Sequence, residues 1–374
     1  MPPVLPRVSA RVVVPKAALQ KVFDNLRDAG FSLVGPTVRD GAIVLEEIAR
    51  IDDLPIGWTD EQEPGHYQLK PSREREYFGF AVGPHSWKKF LHPARLKLFS
   101  VAKQDGRWLV QPAQDAVPRY AFIGVRSCDL NAIGIQDRVF LGGEIRDPLY
   151  ARRRGPVFVL AVNCGKPAAT CFCSSMKTGP RVTVGFDLAV TELPEIFVVE
   201  VGSEAGSEML RDTLWEPAGA FDLGRAAQVC ERAERAIARE LRTRDLPKLL
   251  YDNLDHPRWD DVATRCLSCA NCTQVCPTCF CITVEDTSDL KGTVAERTRV
   301  WDSCFVLDFS HVYGGNIRPS IRARYRQWLT HKLASWIDQF GTSGCVGCGR
   351  CITWCPVGID LTEEVKAIRE KASK

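Results

Sequence analysis

Two stretches decide the fold of the C-terminal part: residues 266–277, CLSCANCTQVCP, and residues 345–356, CVGCGRCITWCP. Each reads C-x2-C-x2-C-x3-C-P, and we call them knot one and knot two. The two knots are the one internal repeat in the sequence. Four cysteines at this spacing before a proline, found twice in one chain, are typical of cubane iron–sulfur clusters.

The spacing within each knot predicts two [4Fe-4S] clusters with crossed ligation. The first three cysteines of a knot hold one cluster, and the fourth, beside the proline, ligates the other cluster. Zinc and buried free thiols are the alternatives, but zinc sites favour two ligand pairs with a longer gap between them. The predicted ligands are Cys266, Cys269, Cys272 and Cys355 for cluster one, and Cys345, Cys348, Cys351 and Cys276 for cluster two.

Composition predicts the cellular compartment and argues against nucleic acid and membranes as partners. The 374 residues are 45% apolar and 25% charged, as in a globular chain of two or three domains. Sixteen cysteines in a chain without a recognisable export signal indicate metal binding in a reducing cytoplasm rather than disulfides. No apolar run approaches the roughly 20 residues that span a bilayer, so no membrane association is expected. A net charge of +3 without charge blocks argues against nucleic acid.

The remaining pattern predicts an α/β N-terminal domain, residues 1–230, followed by a mostly α-helical, dicluster ferredoxin-like C-terminal domain, residues 231–374. Strand-like runs at 120–125, 156–162 and 181–190 surround a helical pattern at 129–140, which suggests a βαβ unit with Asp129 as the helix cap. A helix over 225–250 is expected to join the two domains. The segment 318–339, between the knots, also reads as helical.

Four upstream cysteines form a candidate third [4Fe-4S] site. Cys128 and Cys164 each follow a predicted strand, and parallel neighbours would bring both thiols to one edge of the sheet. Cys171 and Cys173 lie in the loop that follows Cys164. The alternative is that these are core thiols, because free cysteine is often buried. Arg126 beside Cys128 could stabilise an anionic cluster or form an ion pair at the strand end.

For the other candidate residues we expect structural or surface roles. Between the knots, basic residues alternate with Tyr325 and Trp328, which fits a partner interface but fits a solvated helix face better; these basic residues are Arg318, Arg322, Arg324, Arg326 and Lys332. The cysteines without a full set of partners are expected to be structural; they are Cys230, Cys279 and Cys281.

Several cysteine-containing strings together resemble one family, over about residues 119–362. They are GVRSCDL (124–130), NC (163–164), TCFC (170–173), CPTCFC (276–281), WDSC (301–304) and GCVGCGRC (344–351). The family is that of sulfhydrogenase beta subunits and anaerobic sulfite reductase subunits A. The resemblance implies a subunit without substrate chemistry that passes electrons between a flavin subunit using NAD(P)H and a catalytic partner. That partner is a [NiFe] hydrogenase in one branch and a sirohaem sulfite reductase in the other.

The residues agree with an electron carrier. The sequence contains no G-x-G-x-x-G fingerprint at a strand-to-helix turn and no P-loop, so no flavin or nicotinamide is expected on this chain. Clusters take single electrons whereas hydride carries two, so electrons from a nicotinamide require a flavin on another chain. A hydrogenase is the preferred endpoint and a sulfite reductase the alternative. A stand-alone reductase with its substrate beside Cys128 and Cys164 stays open, as does an oxygen-sensing regulator.

Overall fold

The computed structural model describes residues 5–113 and 116–372. Its strands are β1 Arg11–Pro15, β2 Ser32–Arg39, β3 Ala42–Glu47, β4 Trp58–Glu63, β5 His66–Pro71, β6 Arg95–Gln104, β7 Arg107–Pro112, β8 Tyr120–Arg126, β9 Phe158–Val162, β10 Leu188–Glu192, β11 Ile196–Val201, β12 Glu216–Pro217, β13 Ile282–Ser288, β14 Val294–Trp301, β15 His311–Val312 and β16 Gly315–Asn316.

The α-helices are α1 Leu19–Asp28, α2 Lys88–Leu91, α3 Ser127–Leu141, α4 Pro148–Arg154, α5 Cys173–Met176, α6 Glu204–Met209, α7 Ala220–Ala236, α8 Leu246–Asp252, α9 Arg258–Arg265, α10 Asn271–Gln274, α11 Ile321–Thr330, α12 Trp336–Phe340, α13 Arg350–Thr353 and α14 Leu361–Ala372. A π-helical turn, His331–Ser335, joins α11 to α12. Within the described residues, no helix is long and apolar enough to cross a membrane.

An eight-stranded mixed sheet organises the N-terminal part, in the order β12-β1-β11-β10-β9-β8-β2-β3. Its centre is parallel: β8 pairs with β2 and β9, and β9 pairs with β10. The central strands are apolar because both faces of the sheet are covered; β9 is buried along its whole length. Cys128 and Cys164 therefore follow neighbouring parallel strands and emerge at the same edge of the sheet.

A second sheet joins the two halves of the chain. Its order is β13-β14-β6-β7, so a hairpin from the segment between the knots pairs with a hairpin from residues 95–112. A backbone hydrogen bond from Gly65 to Ile352, 3.1 Å long, ties the N-terminal part to knot two as well. The C-terminal part therefore contains strands as well as helices. The residues before and after position 230 are in direct contact.

Some local predictions are corrected by the structure. The expected helix over 225–250 is interrupted, since α7 ends at Ala236 and α8 begins only at Leu246. Helix α3 starts two residues earlier than predicted, and Arg126, not Asp129, occupies the cap position without a capping side chain. Asp129 instead faces inward and pairs with Arg350, as described below.

Candidate metal centres

The ligands predicted for cluster one line a single cavity. This cavity is bounded by Cys266, Cys269 and Cys272 of knot one, by Cys355 of knot two, and by aromatic side chains that include Tyr325 and Trp328. Cys351 of knot two, a predicted ligand of cluster two, also lines it. Cys269 is the one exposed cysteine of the sixteen, all of which are described. The structure thus brings the fourth cysteine of knot two to the first three of knot one.

The ligands predicted for cluster two also converge across the knots. Burial raises the pKa of the Cys345 thiol to about 12, and the neighbouring Cys348 and Cys276 contribute in the same direction. Burial also raises the pKa of the Cys351 thiol. Its neighbours Cys345, Cys348 and Cys276 raise this pKa as well, in that order. The thiols of Cys345 and Cys351 are therefore crowded, which suits ligands that release their protons when metal binds.

Backbone amides point at several of these sulfur atoms. The N–H of Ser268 donates to Cys266 Sγ at 3.4 Å, that of Gly347 to Cys345 Sγ at 3.4 Å, and that of Ile359 to Cys355 Sγ at 3.3 Å. Hydrogen bonds to cluster sulfur stabilise the more negative, reduced state and help to set its potential. The loops are thus arranged to hold anionic sulfur.

Lys332 supplies a buried cation beside cluster two. Its side chain is 2% exposed, and its Nζ donates to Cys276 Sγ at 3.3 Å and to Gly344 O at 3.1 Å. Burial lowers the pKa of Lys332, but the thiolates of Cys276 and Cys279 outweigh burial and raise it above its ordinary value. An ammonium in this position favours an anionic centre and disfavours a vacant apolar cavity.

This arrangement overturns the preferred interpretation of the segment between the knots. Arg324, Tyr325, Trp328 and Lys332 are all buried, and the two aromatic residues pack in the core beside cluster one. Only part of the basic set is solvated, as where Arg322 pairs with the exposed acids Asp255 and Asp260. The segment is buried against the predicted ligand cysteines rather than forming a solvated helix face.

The four upstream cysteines line one small cavity together with Arg126 and Cys348; they are Cys128, Cys164, Cys171 and Cys173. Burial, and after it the neighbouring thiols of Cys164 and Cys348, raise the pKa of the Cys173 thiol to about 12. Arg126 makes no ion pair with a carboxylate in the described chain; its guanidinium donates to Phe78 O at 2.7 Å and Phe80 O at 2.9 Å. A buried guanidinium therefore faces this thiol group.

Knot two packs tightly against the upstream group. Phe172 N donates to Gly347 O at 2.8 Å, and Arg350 binds Asp129 with both guanidinium nitrogens at 2.8 and 3.1 Å. Gly349 has φ +76°, and a Cβ there would lie 2.6 Å from Thr170 O, so only glycine fits. The upstream thiols and the thiols predicted for cluster two therefore lie side by side.

Three further cysteines lie near the open end of the β13–β14 hairpin, away from its turn. Ile282 pairs with Trp301, which places Cys281 and Cys304 at the base of the hairpin, where their thiols hydrogen-bond. Cys279 adjoins Cys281 and hydrogen-bonds to Cys276. We call Cys279, Cys281 and Cys304 the hairpin group. Sequence reasoning took the first two as structural; the signal was that CPTCFC and WDSC flank two strands of one hairpin.

None of these groups places three Cys, His, Asp or Glu side chains close enough to share a single metal ion, as far as the described residues go. The eight knot cysteines share this property. A cubane cluster interposes its own irons between the thiolates, so its ligands stand farther apart than those of one zinc ion. The sequence spacing of the knots favours clusters over mononuclear zinc.

Comparison with known proteins agrees with this geometry. Residues 265–359 match the family model of the 4Fe-4S dicluster domain. The chain is 31% identical to sulfhydrogenase 2 subunit beta of Pyrococcus furiosus over 355 residues, which cover 93% of this chain and 95% of that protein. The chain belongs to the sulfhydrogenase beta-subunit family. The likeness extends beyond residues 119–362, the part in which the sequence strings were recognised. No solved structure matches the chain.

The chain is therefore an iron–sulfur electron-transfer subunit related to hydrogenases, and it works with partner subunits. Its family and its dicluster domain indicate this role. The first hundred residues, which carried no motif, gain a structural role in that setting. They supply β1 to β3 of the large sheet, and they supply β6, which pairs with the hairpin between the knots.

Proposed function

We propose that this subunit carries electrons between a flavin subunit that oxidises or reduces NAD(P)H and a [NiFe] hydrogenase, in a cytoplasmic complex. The observation that carries the proposal is the adjacency of the thiol groups: Cys348 lines the cavity of the upstream group, and Cys351 lines the cavity of the cluster-one ligands. Family membership supports the hydrogenase endpoint, because the relative is named as a sulfhydrogenase subunit. An anaerobic sulfite reductase is the alternative endpoint.

In this proposal cluster one is held by Cys266, Cys269, Cys272 and Cys355, and cluster two by Cys345, Cys348, Cys351 and Cys276. A third [4Fe-4S] cluster is held by Cys128, Cys164, Cys171 and Cys173. The clusters supply one-electron redox chemistry. The chain keeps water away from them with Tyr325 and Trp328, and it donates N–H groups and the Lys332 ammonium to their thiolates.

The surface around Cys269 is the proposed electron port. Cys269 is exposed, and the apolar side chains of Leu267 and Val357, which line the same cavity, are exposed as well. An apolar rim around an exposed ligand fits transient contact with a redox partner.

The test is anaerobic purification under native conditions, with iron, sulfide and co-purifying subunits determined. About twelve irons per chain fit three [4Fe-4S] clusters, and about eight leave the upstream group empty. A flavin subunit and a hydrogenase in the preparation support the proposal; a sulfite reductase favours the alternative. Steady substrate turnover by the isolated chain would overturn it.

Crossed ligation has its own test. Changing Cys355 to Ser should damage the cluster of Cys266, Cys269 and Cys272 more than that of Cys345, because Cys355 lies in the cluster-one cavity. Electron paramagnetic resonance of the reduced protein separates the two signals. The matched variant is Cys345→Ser, at a cysteine outside that cavity, which should damage cluster two first. Identical spectra for the two variants would rule crossing out.

A further inference from the structure

We propose that the Tyr325 hydroxyl and the Trp328 indole N–H donate hydrogen bonds to sulfur atoms of cluster one and thereby raise its reduction potential. The inference rests on the ligand set proposed above for cluster one and goes beyond it by assigning two further side chains to that centre. Two observations carry it. Both side chains line the cluster-one cavity, and both polar groups are buried without a partner in the described chain.

Helix α11 places both side chains at the cavity. Tyr325 and Trp328 are three residues apart, so they lie on the same face of the helix, with their ring centroids 5.4 Å apart. The two residues are 2% and 5% exposed. They belong to the apolar core against which the predicted ligands Cys266, Cys272 and Cys355 pack. Both rings therefore stand in the wall of the cavity proposed for cluster one.

Neither polar group finds an acceptor in the protein. The Tyr325 hydroxyl and Trp328 Nε1 are buried and have no hydrogen-bond partner among the residues that the structure describes. The neighbouring Trp259, which is not part of the cavity wall, donates its indole N–H to Asn253 O at 2.8 Å. Phe305 lines the cavity and has no polar side-chain atom. In this aromatic cluster, the two side chains with unpaired donors are thus those that line the cavity.

The chemistry of the cavity identifies the acceptor. A buried donor without an acceptor costs free energy, so these two donors require a partner in the complete protein. A buried water needs several polar partners of its own, and the wall around these donors is largely apolar. Its apolar side chains include Leu267, Phe305, Val357, Ile359 and Leu361. Sulfur is the remaining acceptor, because the predicted cluster-one cysteines line the same cavity and a cluster adds its own sulfide.

The two side chains supplement donors that the loops already provide. Backbone N–H groups donate to two of the predicted ligands, Cys266 and Cys355. Reduction adds negative charge to the cluster, so each further donor stabilises the reduced state more than the oxidised state. Tyr325 and Trp328 therefore make cluster one easier to reduce than the loops alone would make it.

The experiment is a redox titration of the anaerobically purified holoprotein, followed by electron paramagnetic resonance, for wild type, Tyr325→Phe and Tyr150→Phe. Tyr325→Phe removes only the hydroxyl. At a fixed potential it should lower the ratio of reduced to oxidised cluster one about tenfold, a shift of about 59 mV, and leave cluster two unchanged. Tyr150→Phe is the matched control, because it removes a buried hydroxyl that donates to Asp137 at 2.8 Å, and it should shift neither cluster.

The sign of the shift separates a lost hydrogen bond from loosened packing. Water entering a loosened cavity would stabilise the reduced state and raise the potential, so a rise in Tyr325→Phe overturns the proposal, as does an unchanged potential. If Tyr325→Phe does not fold, Trp328→Phe is judged by the same criterion.

Electron–nuclear double resonance provides an independent readout. In reduced wild type, exchange into heavy water should remove a proton coupling to cluster one that is already missing in Tyr325→Phe; identical couplings in the two proteins overturn the proposal. Failure of the proposed function differs from both results, since it appears as missing cluster-one iron or absent partner subunits. Failure of this inference leaves cluster one assembled at an unchanged potential.

Discussion

Replacing Lys332 with Met tests whether the buried ammonium sets the reduction potential of cluster two. Lys332 Nζ lies 3.3 Å from Cys276 Sγ and contacts no carboxylate in the described chain. Reduction adds one negative charge to the cluster, whose centre we take as roughly 6 Å away; at an effective dielectric constant of about 20 the attraction is about 3 kcal/mol. Because 59 mV corresponds to a tenfold change for one electron, this loss lowers the potential by roughly 130 mV.

The assay is a redox titration followed by electron paramagnetic resonance. Cluster one provides an internal reference, and Lys366→Met is the matched control, because Lys366 is exposed and pairs only with Glu370 at 3.9 Å. Lys332→Gln, a second neutral variant, should shift the potential in the same direction. A shift of cluster two below about 20 mV, or a rise, would refute the electrostatic role of Lys332.

Three other perturbations follow from buried contacts. Asp129→Asn leaves the Arg350 guanidinium without its buried counter-charge, so anaerobic thermal melting should show a loss of up to about 3–5 kcal/mol, and an unchanged melting temperature would contradict this. Gly349→Ala should destabilise much more than Gly292→Ala, for both have positive φ but only Gly349 lacks room for a Cβ; equal melting temperatures would contradict the clash. Burial lowers the pKa of His92 to about 3 from 6.5, so the folded state rejects a proton that the unfolded state binds, and stability falls as pH drops from 6.5 toward 3. At pH 5 this amounts to about 2 kcal/mol, which His92→Phe should recover in unfolding measurements across that range.

The cluster chemistry was readable from local sequence, since each knot places its thiols within a dozen residues. Covalent spacing alone selects such ligands, and Pro277 and Pro356 mark the fourth cysteine of each knot. The parallel strands that carry Cys128 and Cys164 were also predictable, because apolar runs bounded by polar turns identify buried strands. Their side-by-side placement in the sheet agrees with that prediction.

Contacts between residues far apart in the sequence could not be predicted in the same way. The position of Asp129 suggested a helix cap, yet in the structure its carboxylate pairs with Arg350, 221 residues away. Lys332 looked solvated because charged residues usually are, and only the packing of the segment between the knots buries it against Cys276. Cys304 gained partners only through the register of the β13–β14 hairpin.

The sequence by itself determined that this chain binds cubane iron–sulfur clusters, since thiolate spacing is a local covalent property. Only the tertiary structure decided which cations and amides face each thiol group and how the groups follow one another. Those features depend on contacts between segments far apart in the chain, where burial and counter-charge, rather than local spacing, select the arrangement.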